Sequence, residues 1–220
     1  MKETAKFRPA AAIFDMDGLM LETEKPLIPL WKKVGSSFGF NITEAMIFRT
    51  IGVDDKTTRG LYLREFGPDF PYDQIRGEMS RLTREEFEKG IAHRPGLTVL
   101  LDHLSALKIP MVVATSTRRE SAVWKLEKAG ILKYFTALAC GDEIANGKPA
   151  PDIFLLAAER LGYLPSVCVG FEDSPAGLQG LHAAGIRPVF VKDLIEPPQE
   201  ILATVWRRYG DLAEAAELFG

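Results

Sequence analysis

Two acidic residues near the N-terminus are the first candidates for chemistry. Asp15 and Asp17 directly follow the apolar run at 11–14, and Gly18 comes next. An apolar run of strand formers that stops at carboxylates is typical of a buried strand delivering acid groups to the edge of a sheet. Two carboxylates about 4 Å apart repel each other by roughly 4 kcal/mol at an effective dielectric constant near 20. We therefore expect a divalent cation, a lysine or both beside them.

Further polar groups follow the other predicted strands. These strands are predicted at 111–114, 137–140, 167–170 and 188–191, with helices between them. The alternation predicts an α/β fold with a doubly wound parallel sheet, and such sheets bind ligands outside the carboxyl ends of their strands. The groups at or beyond these ends are Thr115, Ser116 and Thr117, then Lys148, and then Glu172 and Asp173. Carboxylates that can attack phosphorus or bind Mg²⁺, together with hydroxyl and ammonium groups that can hold phosphoryl oxygens, suit phosphoryl transfer.

The segment between residues 21 and 92 predicts helices only. Apolar residues recur at helical spacing from Leu27 to Phe38, and the aspartates at 54 and 55 can cap a helix at 56–65. Asp73 can cap a further helix. We therefore predict an α/β core made of residues 1–20 and 93–220, with residues 21–92 inserted as an all-helical domain.

Three local predictions concern the rest of the core. Thr117 is expected to cap a helix at 118–129. Residues 203–206 are expected to form a short edge strand, and residues 211–219 are expected to be helical.

The composition restricts the possible partners and the location. The 220 residues are 46% hydrophobic and 26% charged and carry a formal net charge of −3, which argues against nucleic acid as a partner. The N-terminal residues 1–9 contain no long apolar run, so neither a signal peptide nor a membrane contact is expected, and the predicted location is the cytoplasm. The two cysteines lack the close spacing of a zinc site or a redox site. We expect a monomer that acts on a small molecule.

The polar motifs also match a known family in order. The segments at 15–18, 147–152 and 170–174, together with Thr115, resemble the four motifs of the haloacid dehalogenase superfamily. The resemblance covers nearly the whole chain, because the predicted helical insert resembles the helical cap domain of that superfamily. The chain is most similar to the branch that contains beta-phosphoglucomutases and small phosphatases.

This resemblance implies roles for the acidic residues. Asp15 is the expected nucleophile, and Asp17 the expected general acid that later acts as a general base. An acid at the second position points to phosphate esters, since the dehalogenases and phosphonate hydrolases of the superfamily lack it. The expected Mg²⁺ ligands are the carboxylate of Asp15, the main-chain carbonyl of Asp17 and the carboxylate of Asp173. Glu172 binds the metal either directly or through water.

The remaining site residues are expected to hold the substrate. Thr115 and the backbone amide of Ser116 are expected to contact the transferring phosphoryl group, and Lys148 to balance its charge. The other expected substrate contacts are Gly18, Thr117, Arg118, Lys56 and Arg59, the last two of which are candidates for a second anionic group. The turn at 52–58 is the part of the cap expected to reach the site. The implied function is a Mg²⁺-dependent phosphatase that hydrolyses a small phosphate monoester, such as a sugar phosphate, through an aspartyl phosphate.

Three other functions compete with this one. A phosphosugar mutase is the nearest, but Leu27 and Asp55 stand where beta-phosphoglucomutases carry a histidine and an arginine. A phosphoacceptor switch, as in bacterial receiver domains, uses similar groups but lacks a helical insertion. A binding protein that kept the fold and lost activity is disfavoured by the complete set of acid, hydroxyl and lysine positions.

Overall fold

A six-stranded, fully parallel sheet forms the centre of the molecule. The computed structural model describes residues 7–220, so residues 1–6 of the predicted core segment lie outside the described residues. The strands are β1 (Ala11–Phe14), β2 (Met111–Thr115), β3 (Ala137–Cys140), β4 (Cys168–Glu172), β5 (Arg187–Val191) and β6 (Arg207–Tyr209). Their order in the sheet is β3-β2-β1-β4-β5-β6. The predicted parallel α/β sheet is therefore confirmed.

Helices cover both faces of this sheet. They are α5 (Leu97–Ala106), α6 (Arg119–Lys128), α7 (Asp152–Leu161), α8 (Pro175–Ala183) and the short α9 (Gln199–Leu202). Side chains alternate along a strand, and in β1 Ala12 and Phe14 join one hydrophobic cluster while Ala11 and Ile13 join the other. All four are fully buried, as expected for a central strand of a parallel sheet.

Four helices lie between β1 and α5. They are α1 (Glu24–Ser37), α2 (Glu44–Phe48), α3 (Asp55–Phe66) and α4 (Tyr72–Phe87). Between residues 21 and 92 the structure contains no strand, apart from two isolated bridges that join Leu21 to Asp17 and to His93. The four helices have a hydrophobic cluster of their own, built around Tyr62, Phe70 and Tyr72. Asp54 caps α3 as predicted, because its side chain accepts a hydrogen bond from the Thr57 amide.

The chain enters and leaves this helical block through two adjacent segments. The Glu22 amide donates to the Ala92 carbonyl, and the Arg94 amide donates to the Met20 carbonyl. The Arg94 side chain then binds Glu22 at 2.8 Å and Asp193 at 2.9 Å. Both crossings are thus held together and attached to the loop that follows β5.

Several local predictions were wrong. The edge strand is Arg207–Tyr209 rather than 203–206, because Pro198 starts the short helix α9 and delays the chain's return to the sheet. Residues 211–219 contain only a 3-10 turn at Glu214–Leu218. Helix α4 begins at Tyr72, so Asp73 lies in its first turn and does not cap it.

The prediction for Thr117 was also wrong. Helix α6 has Arg118 at its N-cap position, without a side-chain cap. The Thr117 hydroxyl instead donates to the Asp17 carboxylate, which is a stronger acceptor than a neutral oxygen. Over residues 7–220, no helix combines the length and apolar character needed to cross a bilayer.

Candidate active site

Strand order brings the predicted site residues to one edge of the sheet. Strand β1 lies between β2 and β4, so Asp15 emerges between Thr115 at the end of β2 and Glu172 at the end of β4. Phe14 is in register with Phe171, and the Asp15 amide donates to the Phe171 carbonyl. Because parallel strands point the same way, these three side chains share one edge of the sheet.

Lys148 lies at the centre of this edge. Its Nζ donates to Asp15 Oδ1 at 2.5 Å and to Glu172 Oε1 at 2.6 Å, and its side chain is 1% exposed. Burial lowers the pKa of Lys148, but the charges of Asp15 and Glu172 outweigh burial and raise it above its ordinary value. Lys148 is therefore an ammonium group that joins two carboxylates.

Asp15, Glu172 and Asp173 form a buried acidic cluster. One oxygen from each carboxylate lies within 4.8 Å of the others. Burial, with the charge of Glu172, raises the pKa of Asp15 to about 8 against the opposing effect of Lys148. Burial, followed by the charges of Glu172 and Asp15, also raises the pKa of Asp173 well above its usual range. Three carboxylates against one ammonium group would leave two negative charges, which a divalent cation balances.

The three carboxylates differ in how much of their bonding capacity is free. Glu172 Oε1 accepts from Lys148, and Glu172 Oε2 accepts from the amides of Asp173 and Ser174 and from the Ser174 hydroxyl. Asp173 Oδ1, in contrast, is buried and has no hydrogen-bond partner among residues 7–220. A buried oxygen left without a partner is costly, so Asp173 is suited to binding a cation and Glu172 is already occupied.

Asp17 is not part of the acidic cluster and has donors of its own. Thr23 donates to its Oδ1 at 2.8 Å, Thr117 donates to its Oδ2 at 2.7 Å, and Lys125 from α6 donates to its Oδ1 at 2.6 Å. Burial raises the pKa of Asp17, but the Lys125 charge and these three hydrogen bonds outweigh burial and lower it. The side chain of Asp17 is therefore an ionised carboxylate held by three donors from separate parts of the chain.

The segment after β2 connects the sheet to the helical block. Thr115 is buried, and its Oγ1 accepts from the Thr117 amide at 3.1 Å. The Ser116 hydroxyl donates to the Gly52 carbonyl at 3.1 Å, so the turn that precedes α3 touches this segment. Gly18 has a φ of +85°, and a Cβ there would lie 2.5 Å from Asp173 Oδ2. Only glycine therefore fits between β1 and the acidic cluster.

A cavity of about 500 Å³ opens above these groups, between the sheet edge and the helices. From the sheet side it is lined by Asp15, Asp17, Thr115, Ser116, Thr117, Arg118, Ser121, Trp124 and Lys125, and Glu24 joins from the start of α1. From the helical block it is lined by Leu27, Trp31, Thr50, Gly52, Val53, Asp55, Thr58, Tyr72, Arg76, Gly77, Ser80, Thr83 and Arg84, with Thr23 between the two sides. The turn at 52–58 reaches the site as predicted.

Lys56 and Arg59 do not line this cavity, which corrects the prediction for both. The α-helix turns by 100° per residue, so Lys56 is directed away from the face of α3 that carries Asp55 and Thr58 into the cavity. Arg59 is close to that face, at i+4 from Asp55, but its side chain is drawn to Asp73. Lys56 is exposed, and Arg59 pairs with Asp73 at 2.5 Å on the surface.

Sequence reasoning missed several residues that surround the cavity. Trp31, Arg76 and Arg84 come from α1 and α4, while Trp124 and Lys125 come from α6. None of these residues stands beside a motif. The helical period shows which residues share a face of their helix, but it does not show that this face lines the cavity. Glu24 was also missed. Burial, followed by the charge of Asp17, raises the pKa of Glu24 to about 7.

The chain matches the family model described as haloacid dehalogenase-like hydrolase over residues 12–191. This match spans the sheet edge, the helical block and all four motifs. The chain belongs to the haloacid dehalogenase-like hydrolase family.

Relatives of this hydrolase carry mainly phosphatase names. It is 30% identical over 180 residues to the phosphorylated carbohydrates phosphatase of Thermotoga maritima, covering 82% of this chain and 83% of that one. It is 32% identical over 191 residues to the probable pseudouridine-5'-phosphatase of Drosophila melanogaster, covering 82% and 80%. The crystal structure of beta-phosphoglucomutase from Clostridium difficile is similar in fold, with a TM-score of 0.81 at 21% identity and coverage of 96% and 97%. The chain is therefore a hydrolase of this family, and phosphatase names predominate among its relatives.

Proposed function

We propose that this hydrolase is a Mg²⁺-dependent phosphatase that cleaves small phosphate monoesters, with phosphorylated sugars and related metabolites as the first candidates. One observation carries the proposal. The buried Lys148 joins Asp15 to Glu172 beneath an open cavity, next to an unpartnered oxygen of Asp173. The names of the Thermotoga maritima and Drosophila melanogaster relatives support the substrate class.

The acidic cluster fits a magnesium ion. Mg²⁺ prefers hard oxygen ligands, and the cluster offers two carboxylates with free capacity, Asp15 and Asp173. We assign these two as direct ligands, together with the predicted main-chain carbonyl of Asp17. Glu172 is assigned to orient Lys148 and the segment at 172–174. When bound, the ion supplies positive charge that neutralises the phosphoryl oxygens and lets Asp15 stay ionised.

The residues of the chain then divide the reaction into two half-reactions. Asp17 is ionised in the substrate-free chain and takes up a proton from solvent when the ester binds. Asp15 then attacks phosphorus while the bond from phosphorus to the ester oxygen breaks, and that oxygen takes the proton from Asp17 and leaves as the alcohol. Water next attacks the phosphorus of the aspartyl phosphate and gives its proton to Asp17. The bond between Asp15 and phosphorus breaks, inorganic phosphate leaves, and the Asp15 carboxylate is restored.

Three groups hold the phosphoryl group in this proposal. Lys148 offers a fixed ammonium group beside Asp15, and Thr115 and the amide of Ser116 lie at the end of the neighbouring strand. Preorganised donors of this kind contribute about a hundredfold to a thousandfold each in comparable sites. Thr117 is assigned to Asp17 rather than to the substrate, and Arg118 to the rim of the cavity.

We further propose that residues 21–92 form a cap domain on a core of residues 1–20 and 93–220. The separate hydrophobic cluster of α1–α4 supports this division. A cap that closes the cavity excludes water from the aspartyl phosphate and contacts the leaving group. Selectivity is then set mainly by cavity residues of α1 and α4. The cytoplasmic location and the monomeric state stay predictions.

A mutase is the second candidate, and one observation bears on it. Leu27 lines the cavity, at the register where beta-phosphoglucomutases carry a histidine. Asp55, at the register of their arginine, binds Tyr72 and Arg76. Because neither a histidine nor an arginine stands at its mutase register, we favour water over a returning sugar phosphate as the second acceptor.

The test is phosphate release across sugar phosphates, pseudouridine 5'-phosphate, phosphoglycolate and an aryl phosphate. We expect release from at least one ester that requires Mg²⁺, stops with EDTA and is lost in Asp15→Asn. The matched control is Asp69→Asn, an exposed aspartate on the helical block, which should behave as wild type. Conversion of a hexose 1-phosphate to its 6-phosphate without phosphate release would favour the mutase. A folded, Mg²⁺-binding protein that releases no phosphate from any ester would refute the phosphatase.

A further inference from the structure

Lys125 is the one ammonium group, among the described residues, that contacts Asp17. Its Nζ lies 2.6 Å from Asp17 Oδ1, and the two side chains are 12% and 17% exposed. Lys125 projects from α6, a helix whose sequence carries none of the four motifs. No other carboxylate of the described chain lies within ion-pair distance of Lys125. Its side chain is therefore committed to Asp17.

The three donors fix the Asp17 carboxylate from different sides. Thr23 precedes α1, Thr117 follows β2, and Lys125 lies near the end of α6. The two threonines act as neutral hydroxyl donors, and Lys125 alone brings charge. Hydrogen bonds from an ionised donor are roughly twice as strong as those between neutral groups. Removing Lys125 should therefore loosen the carboxylate more than removing either hydroxyl.

We propose that Lys125 is a positioning residue that holds Asp17 in the orientation needed for both proton transfers. The inference rests on the phosphatase function proposed above. Lys125 acts through Asp17 and does not itself touch the reacting phosphorus in this assignment. A proton donor or acceptor works only within hydrogen-bond reach of its target, so an Asp17 that rotates freely loses much of its effect.

The leaving group provides a way to detect this role. An alkyl phosphate needs the proton of Asp17 when its oxygen leaves, whereas an aryl phosphate with an acidic phenol leaves without it. The kcat/KM value reports the first half-reaction, which ends when the alcohol or phenol departs. The kcat value also includes the second half-reaction, in which Asp17 takes the proton of water whatever the leaving group was.

The experiment compares Lys125→Met with the wild-type protein on one alkyl and one aryl phosphate, with Mg²⁺ saturating. For the alkyl ester we expect kcat/KM to fall by about 10- to 100-fold, within the range of general acid catalysis. For the aryl ester we expect kcat/KM to stay within about threefold while kcat falls, so that KM falls as well. Lys125→Arg should recover most of the alkyl activity, because a guanidinium group also binds a carboxylate.

Two controls separate positioning from a loss of structure. Lys128→Met removes a lysine one turn further along α6 that pairs with Glu88 at 2.7 Å, and it should leave both esters unaffected. In the Asp17→Asn background, Lys125→Met should have little further effect, because the group through which it acts is already disabled. Circular dichroism melts should show all variants folded at the assay temperature.

The possible outcomes decide between the explanations. Equal losses of kcat/KM on the two esters would overturn the positioning role and indicate a contact with the phosphoryl group or a general defect. An undiminished effect of Lys125→Met in the Asp17→Asn background would overturn it too, and so would wild-type kinetics. If the wild-type protein releases phosphate from neither ester nor from any in the panel, the phosphatase proposal fails, and the role of Lys125 fails with it.

Discussion

At the scale of single residues, Gly18 shows how tightly the sheet edge is built. Its φ of +85° is a conformation that glycine adopts freely and other residues adopt at a cost of about 1–2 kcal/mol. A Cβ at this position would also lie 2.5 Å from Asp173 Oδ2. The glycine therefore serves two needs at once, the turn after Asp17 and the space for a carboxylate.

We predict that Gly18→Ala lowers both stability and Mg²⁺ affinity. The matched control is Gly39→Ala, because Gly39 has a φ of +83° but no atom within 4 Å of an added Cβ. Both variants should lose about 1–2 kcal/mol of stability from the backbone alone. Only Gly18→Ala should also displace Asp173 and weaken Mg²⁺ binding, measured by calorimetry, by tenfold or more. Equal Mg²⁺ affinity in the two variants would contradict this assignment.

At the scale of elements, the helical block has an aromatic core of its own. Tyr62 of α3 stacks with Trp31 of α1 at 5.6 Å and with Phe70 at 5.4 Å between ring centroids. Aromatic pairs of this kind add about 0.5–1.5 kcal/mol beyond the area they bury. This aromatic core fixes the rotation of α3 and α4 about their axes, so that Thr58 and Arg84 line the cavity. Packing in the block thus fixes which residues a leaving group meets.

Two tyrosine hydroxyls in this core should have opposite effects. Tyr62 is fully buried, and its hydroxyl has no hydrogen-bond partner in the described part of the chain, whereas the Tyr72 hydroxyl donates to Asp55 Oδ1 at 2.8 Å. Removing an unpaired buried hydroxyl is favourable, and removing a paired one costs about 1 kcal/mol. We therefore expect Tyr62→Phe to raise the free energy of unfolding and Tyr72→Phe to lower it. Chemical denaturation measures both, and a loss in Tyr62→Phe would show that its hydroxyl is paired.

At the scale of the whole molecule, the buried acidic cluster couples folding to metal and pH. The pKa of Asp15 is raised from 3.8 to about 8 in the folded chain, mainly by burial. Between these values the folded protein keeps a proton that the unfolded chain releases. Stability from this group is therefore present at low pH and is lost as the pH rises from about 4 to about 8. A bound cation removes the effect, because it replaces the proton as the balancing charge.

We predict that the metal-free protein melts at progressively lower temperature as the pH is raised from about 5 to about 8. The free energy of unfolding should fall by at most roughly 1.4 kcal/mol per pH unit for each proton that the folded protein keeps and the unfolded chain releases. Saturating Mg²⁺ should raise the melting temperature more at pH 8 than at pH 6, because binding displaces protons from the cluster. Asp173→Asn should lose most of the Mg²⁺ response, and Asp69→Asn should retain it. A Mg²⁺ response that does not change with pH would rule out proton displacement.

Much of the sheet edge could be predicted from the sequence because chain order and topology place it. A parallel sheet brings the carboxyl ends of its strands to one edge, so Asp15, Thr115 and Glu172 were expected at that edge once the alternation of strands and helices was recognised. The strand order β2-β1-β4 then made them neighbours. Lys148 was predicted at the same edge because the segment at 147–152 resembles a motif of the family. Which of Glu172 and Asp173 is free to bind a cation could not be predicted. It depends on which carboxylate oxygens accept hydrogen bonds from the backbone amides of the segment at 172–174.

The sequence by itself determined the fold class, the family and the identity of the groups at the strand ends, since these depend on patterns that are local along the chain. The tertiary structure alone decided how the helical block meets those groups. It turned Lys56 and Arg59 to the outside, brought Trp31 and Arg84 to the cavity, and set Lys125 against Asp17, 108 positions away in the chain. Helical periodicity fixes which residues share a face, but only the packing of two separate hydrophobic cores fixes what that face contacts.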